Sequence, residues 1–141
     1  MKLYLIRHGQ SEGNVKDLWY GRSDLPLTAL GRQQAAQVGQ KLQDVPLAAA
    51  YYSPLQRAAD TCRIALSGRE EVPRVMVSDL QEQDMGLLEP LSVAEIRQKM
   101  PDYLERLLAD WVHTPPLEGE PYDTGLAPRV ARALDAIVAK G

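Results

Sequence analysis

Apolar and polar positions alternate between two regimes along the chain. Lys2 to Ile6 is continuously apolar apart from Lys2 and Tyr4 and is closed by Gly9, which predicts a short buried strand feeding a polar loop. Val15 to Pro26 has no clean period and reads as a loop. After Thr28, an N-cap residue, Gly31, Ala35, Val38 and Leu42 fall on one stripe of a helix. Leu47 to Tyr52 predicts a second strand. Ser53-Pro54 then reads as an N-cap followed by proline in the first helical position, with Leu55, Ala58, Ala59, Cys62 and Leu66 on the buried face. Arg74 to Ser78 alternates as a third strand, Val75 and Val77 inward. Ser92-Val93-Ala94-Glu95 is a capping box. Val93, Ile96 and Met100 start a helical stripe that Pro101 interrupts, and Leu104, Leu107, Leu108 and Trp111 resume it. A last helix from about Thr124 carries Leu126, Val130, Leu134, Ile137 and Val138 on one face, with Lys140 near its end and Gly141 as terminator. Strands alternating with helices predict an α/β fold, a three-layer sandwich with a mainly parallel sheet, in one domain over 1–141 with a helical insertion at about 92–120.

Composition narrows the functions open to such a domain. With 45% hydrophobic residues a real core is available, while a net charge of -3 and a pI near 5.4 argue against a general nucleic-acid binder. Two Trp, six Tyr and no Phe leave little material for a base-stacking platform. The single cysteine, Cys62, excludes an intramolecular disulfide framework and a Cys-rich metal site, and suits a reducing compartment; its place on a helix stripe makes it a core residue. No apolar run approaches the roughly 20 residues needed to cross a bilayer, and the N-terminal run is too short for a signal peptide, so the expected location is cytoplasmic with no membrane partner.

Any anion site must therefore be local, and the residues after Ile6 are suited to one. Arg7 and His8 stand at a strand's carboxyl end, the edge where open α/β sheets bind ligands. Arg7 offers a planar fork of donors for phosphate or carboxylate, His8 is the side chain best able to act as base or nucleophile near neutral pH, and Gly9 permits a tight turn or a close approach. Ser11 and Asn14 add neutral donors to the same loop. The structural alternative is a satisfied core histidine beside a surface cation. Arg57 is a second cation of interest. It occupies the first turn of a helix, where the free N–H groups and the dipole already favour anions, so an anionic ligand would offset its charge; otherwise it is an exposed helix arginine.

Leu5-Ile6-Arg7-His8-Gly9-Gln10-Ser11 with Asn14 resembles the signature of the histidine phosphatase superfamily, which includes cofactor-dependent phosphoglycerate mutases and α-ribazole phosphatases. The resemblance implies a histidine that attacks phosphorus, becomes phosphohistidine and passes the group to water or another acceptor; His8 is the matching position. Ser53-Pro54-Leu55-Gln56-Arg57-Ala58 with Thr61 resembles the family's second motif, whose arginine grips the phosphate. The stretch with Trp19, Tyr20, Gly21 and Arg22 is similar to a loop that covers the phosphate pocket, which makes Gly21 and Arg22 substrate-contact candidates beside Ser11 and Asn14. For the proton donor to the leaving oxygen the matching residue is Glu82, with Asp84 and Glu89 as alternatives. Here the chain departs from the pattern: Gln81 replaces a common arginine, and Met85, Leu87 and Leu88 replace the usual aromatic residues, while Glu89 is retained. Gly119-Glu120 resembles a Gly-Glu-Ser element with Pro121 in place of serine, which makes Glu120 a weak match; His113 reads as a loop histidine.

The resemblance covers essentially the whole chain but only the N-terminal part of the family pattern, whose final strand and second catalytic histidine find no match. The expectation is a phosphoglycerate mutase-like domain that is C-terminally incomplete and open to self-association through an unpaired sheet edge. What it implies is a metal-independent phosphatase acting on a phosphorylated small molecule, with no cofactor. In this assignment His8 attacks, Arg7 and Arg57 neutralise charge and Glu82 protonates the leaving group, with activity reduced by the missing histidine. Two other readings stand beside it: mutase-type transfer back to the substrate, and an inactive phospholigand-binding module.

Overall fold

The computed structural model describes all 141 residues and shows an α/β fold. Helix α1 (Glu12–Val15) is nucleated by a reciprocal cap: Ser11 Oγ accepts the Asn14 N–H, and Asn14 Oδ1 accepts the Ser11 N–H. Strand β1 (Leu18–Trp19) follows, then α2 (Ala29–Leu42), which begins where Thr28 Oγ1 accepts the Gly31 N–H as expected. The remaining elements are β2 (Ala50–Tyr52), α3 (Gln56–Ala65), β3 (Arg74–Met76), β4 (Leu91–Ser92), α4 (Val93–Lys99), α5 (Pro101–Ala109) and α6 (Ala127–Lys140). Short 3-10 turns at Ser78–Leu80 and Gly86–Leu88 and a wide turn at Tyr122–Leu126 connect them.

The strands form two separate pairs. β2 and β3 run parallel, with Tyr51 opposite Val75, and β1 pairs antiparallel with β4, with Trp19 opposite Leu91. Helix α2 packs on α3, and α3 on β2. The apolar core proper lies in the insertion: Leu88, Ile96, Tyr103, Leu104 and Leu107 are buried together, flanked by Trp19, Met85, Leu91, Val93 and Met100. Thus β1 reaches across to β4 and ties the loop after α1 to the insertion.

Several expectations are corrected. Lys2 to Ile6 forms no strand: it has no ladder partner, and Leu5 is 82% exposed. An apolar run supplies a tendency, but a strand also needs a neighbour's N–H and C=O groups, and residues 2–6 lie in neither strand pair. The second and third strands are shorter than expected, and Val75 is exposed because nothing covers its face. Ser53 does not cap α3. Leu55 is the extended N-cap residue, and the Gln56 N–H is taken instead by Asp24 Oδ1 at 2.7 Å, so the cap comes from a loop distant in sequence. Ala58, Ala59 and Cys62 are only half-buried, whereas Arg57, Thr61 and Ala65 are buried. In α5, Leu104 and Leu107 are buried but Leu108, like Trp111 beyond the helix, stands in solvent. In α6 the fully buried residues are Arg129 and Ala133, while of the expected stripe Leu126, Val130, Leu134 and Ile137 are half-buried and Val138 is exposed.

Candidate active site

His8 is half-buried on the loop between the exposed N-terminal segment and α1, and its Nδ1 lies 2.6 Å from Gly9 O. A carbonyl oxygen can only accept, so Nδ1 carries the proton and the neutral ring presents its lone pair at Nε2. The loop lies close against α2: a Cβ on Gly9 would collide with the backbone of Gly31, and one on Gly31 with that of Gln10. Gly9 N–H donates to Thr61 Oγ1 at 3.1 Å, and that hydroxyl donates to Arg57 O at 2.6 Å, so α3 anchors the histidine loop. Burial lowers the His8 pKa below its ordinary value; the Gly9 hydrogen bond opposes this, the Arg57 and Arg7 charges lower it further, and Glu82 raises it. His8, Arg7, Arg57 and Glu82 therefore share one electrostatic neighbourhood.

Arg57 is 3% exposed and holds the covering loop, donating from Nη1 to Ser23 O at 3.0 Å and from Nη2 to Gly21 O at 2.6 Å, while its guanidinium lies 4.6 Å over the Tyr20 ring. Tyr20 in turn hydrogen-bonds Ser11 Oγ through its hydroxyl. From the other side, Glu89 accepts the N–H groups of Gly21, Arg22, Ser23 and Met85 at 2.7 to 3.2 Å. Burial alone would raise the Glu89 pKa, but these donors outweigh it and the carboxyl is held below its ordinary range.

The loop carrying Glu82 is held by charge as well. Arg129, buried on α6, binds Glu120 through both carboxylate oxygens at 2.7 Å and donates to Asp79 O, Gln81 O and Glu82 O. Glu120 is lowered by its hydrogen bonds to Arg129, and Arg129 is raised by the same bonds. Arg22 Nε also donates to Glu82 O, at 2.9 Å, with its Nη2 4.0 Å from Glu120. The Glu82 side chain accepts only the Gln83 N–H, at 2.8 Å, and is exposed.

The sequence-derived candidates thus divide. The charges of Arg7, Arg57 and Glu82 all act on His8; Arg7 is exposed and makes no hydrogen bond or ion pair within the chain. Asn14 turns Oδ1 to Ser11 and leaves Nδ2 without a protein partner, so it keeps a free donor. Ser11 is corrected: it is fully buried, its hydroxyl serves Asn14 and Tyr20, and it cannot touch a ligand. Gly21 is also corrected, because both its N–H and its C=O are taken, by Glu89 and Arg57. Arg22 faces Glu82 O and Glu120 rather than an open pocket. Sequence reasoning missed Arg129 and Tyr20. Arg129 carried a signal, a cation interrupting the apolar stripe of a helix nine residues after an acid; Tyr20 carried none.

Beside Gln83 lies a cavity of about 320 Å³ lined by Trp19, Gln83, Met85, Leu107, Leu108, Trp111 and Pro116, with no charged group. It contains none of the candidate residues, and its one link to them is Gln83, whose N–H donates to the Glu82 carboxylate.

The sequence profile of the histidine phosphatase superfamily (branch 1) matches residues 3–141. The adenosylcobalamin/alpha-ribazole phosphatase of Escherichia coli is 33% identical over 134 residues, covering 95% of this chain and 65% of that protein. The 2,3-bisphosphoglycerate-dependent phosphoglycerate mutase 2 of Gloeobacter violaceus is 37% identical over 84% of this chain and 53% of its own length. Among solved structures, an Escherichia coli putative alpha-ribazole-5'-P phosphatase superposes with a TM-score of 0.87 at 30% identity, covering 95% of this chain and 65% of that one. Bacillus stearothermophilus YhfR gives 0.85 at 34% identity, with the same coverage. The chain spans about half to two thirds of the length of these relatives.

Proposed function

The chain belongs to the histidine phosphatase superfamily, and from that premise we propose that it is a metal-independent phosphomonoesterase working through a phosphohistidine. The observation that carries this reading is the Nδ1–H of His8 on Gly9 O, which leaves the Nε2 lone pair free on a ring kept neutral near pH 7 by burial. Nε2 attacks phosphorus and the ester P–O bond breaks; Glu82, as general acid, gives a proton to the departing oxygen and is left as a carboxylate. Water then attacks the phosphohistidine, the P–N bond breaks, and the Glu82 carboxylate takes the water proton, which restores both groups. Arg7 has all its N–H donors free, and Arg57 spends two of five on the covering loop, so both have donors left for the equatorial oxygens. Asn14 Nδ2 adds a neutral donor.

Transfer to water on an apolar ester is favoured over phosphoglycerate interconversion by the cavity beside Gln83, which offers two indoles and aliphatic walls but no cation for a substrate carboxylate. The similarity to alpha-ribazole phosphatases supports the same choice. The test is turnover of a phosphomonoester by the wild-type chain and by His8→Ala, with phosphate binding measured calorimetrically. The expected outcome is inorganic phosphate release that falls more than about a thousandfold in His8→Ala, since a covalent nucleophile has no substitute. Interconversion of phosphoglycerates would indicate the mutase, and phosphate binding without His8-dependent turnover the binding module.

A further inference from the structure

We infer that Arg129, acting with Glu120 and Arg22, is the positioning device for the proton donor, fixing the backbone of Glu82 so that its carboxyl meets the leaving oxygen. The inference rests on the reading of Glu82 as general acid. Arg129 is 8% exposed and all five of its guanidinium hydrogens have an acceptor: two oxygens of Glu120 and the carbonyls of Asp79, Gln81 and Glu82. Three backbone carbonyls from one four-residue stretch thus converge on a single cation. The Glu82 carbonyl receives a second charged donor, Arg22 Nε, so it is gripped from both α6 and the covering loop. Glu120 closes the frame through its own backbone, its N–H on Asp84 O and its C=O on Gln83 Nε2, both at 2.8 Å.

The packing of α6 argues that holding this loop is what the helix contributes. Its apolar stripe is only half-buried at Leu126, Val130, Leu134 and Ile137 and exposed at Val138, and its fully buried groups are Ala133 and the guanidinium that grips the acid loop. A general acid must lie within hydrogen-bond reach of the oxygen it protonates, and an error of about 1 Å costs on the order of a hundredfold. The Glu82 side chain itself has one hydrogen bond, to the neighbouring Gln83 N–H, so its position follows from that of its backbone.

The test compares two esters. p-Nitrophenyl phosphate loses a stable phenolate and needs little proton donation, whereas 2-phenylethyl phosphate loses an alkoxide and depends on it. Glu82→Gln and Arg129→Met are expected to lower kcat/KM, which reports attack on the ester and not hydrolysis of the shared phosphohistidine, on the phenylethyl ester by on the order of 100-fold and on the nitrophenyl ester by only a few-fold, with Arg129→Lys and Glu120→Gln intermediate. Equal losses on both esters in Arg129→Met, beside a split in Glu82→Gln, would overturn the inference and leave Arg129 a structural ion pair. No split in Glu82→Gln would instead overturn the general-acid reading itself.

A second readout needs no turnover. The His8 imidazole, which lies within the electrostatic reach of Arg57, Arg7 and Glu82 and donates to Gly9 O, is titrated by NMR, with the exposed His113 beside Asp110 as internal control. Glu82→Gln lowers the His8 pKa. Arg129→Met is expected to lower it too, because the carboxylate moves away; deletion of a cation with no movement of Glu82 would raise it or leave it unchanged, and that result overturns the inference. If the wild-type chain turned over neither ester, the phosphatase reading would fail and this titration would still decide whether Arg129 places Glu82. Arg129→Lys and Glu120→Gln carry the same comparison where Arg129→Met does not fold.

Discussion

Around Gly21 and Glu82 the chain is held by buried charge, whereas along Met1 to Ile6 and the β2–β3 pair apolar side chains stand in solvent. On the first side, Arg57, Glu89 and Arg129 satisfy backbone groups from Gly21 to Ser23 and from Asp79 to Met85, Glu120 pairs with Arg129, and no buried side-chain polar atom lacks a partner. On the second, Leu3, Leu5, Ile6, Val75 and Met76 are exposed, and residues 2–6 have no ladder. The contrast shows that the candidate site takes its geometry from fully paired polar groups and not from the hydrophobic packing of the strand that precedes it. Such an arrangement tolerates thin apolar cover, but not the loss of one partner, because each partner removed strands several others.

Glu89 gives the largest expected effect. Glu89→Ala leaves the N–H groups of Gly21, Arg22, Ser23 and Met85 without their acceptor and is expected to cost about 3 kcal/mol of stability, discounted for the partial exposure of the site. Glu89→Gln, which keeps an acceptor oxygen but not the charge, loses about half of that. Urea unfolding measures both; a loss of under about 0.5 kcal/mol in Glu89→Ala would mean that the polar side is not held as described. The pH dependence carries a definite sign. The folded Glu89 pKa is depressed, so its contribution is present above the unfolded carboxylate value near 4.3 and is lost as pH falls through the folded value. Glu89→Gln should therefore flatten the acid limb of stability. His8 adds to wild-type acid sensitivity, because its folded pKa is also lowered: below about 6.5 the unfolded chain takes the proton first and stability falls.

Tyr20→Phe sharpens the comparison at smaller scale. It removes one hydroxyl from the chain of contacts Asn14, Ser11, Tyr20 while leaving the ring under Arg57. The expected cost is about 1 kcal/mol with phosphate affinity changed by less than about threefold, since the cation–π contact survives. A large drop in affinity, read by calorimetry, would place the hydroxyl in the ligand's path rather than beneath the loop.

How much of this was legible in the sequence follows from the range of the interactions involved. The Thr28 cap, the Ser92 and Glu95 box and the break at Pro101 act within four residues, so the chain states them directly. That His8 would lie within the electrostatic reach of Arg7, Arg57 and Glu82 was legible through motif resemblance. The roles of Ser11, Gly21 and Arg22 were not, because each is decided by a partner between 9 and 98 positions away: Tyr20, Glu89 and Arg57, or Glu82 and Glu120. The cap of α3 failed for the same reason, since Asp24 reaches Gln56 across 32 positions. The first strand failed differently. Its apolar run is real, but strand formation is a property of a pair, and a single segment cannot declare its neighbour.

The smallest effect is expected on the apolar side and tests the comparison from that end. Leu5 is 82% exposed, so Leu5→Ser removes almost no buried contact and should change unfolding free energy by less than about 0.5 kcal/mol. It should also lower the fluorescence of an apolar dye such as anilinonaphthalene sulfonate bound to the native protein, because the dye reports exposed apolar surface and Leu5 lies beside exposed Leu3 and Ile6. A loss of 2 kcal/mol or more, with dye binding unchanged, would mean that Leu5 is buried in solution, and the segment before Arg7 would then be packed as a strand after all.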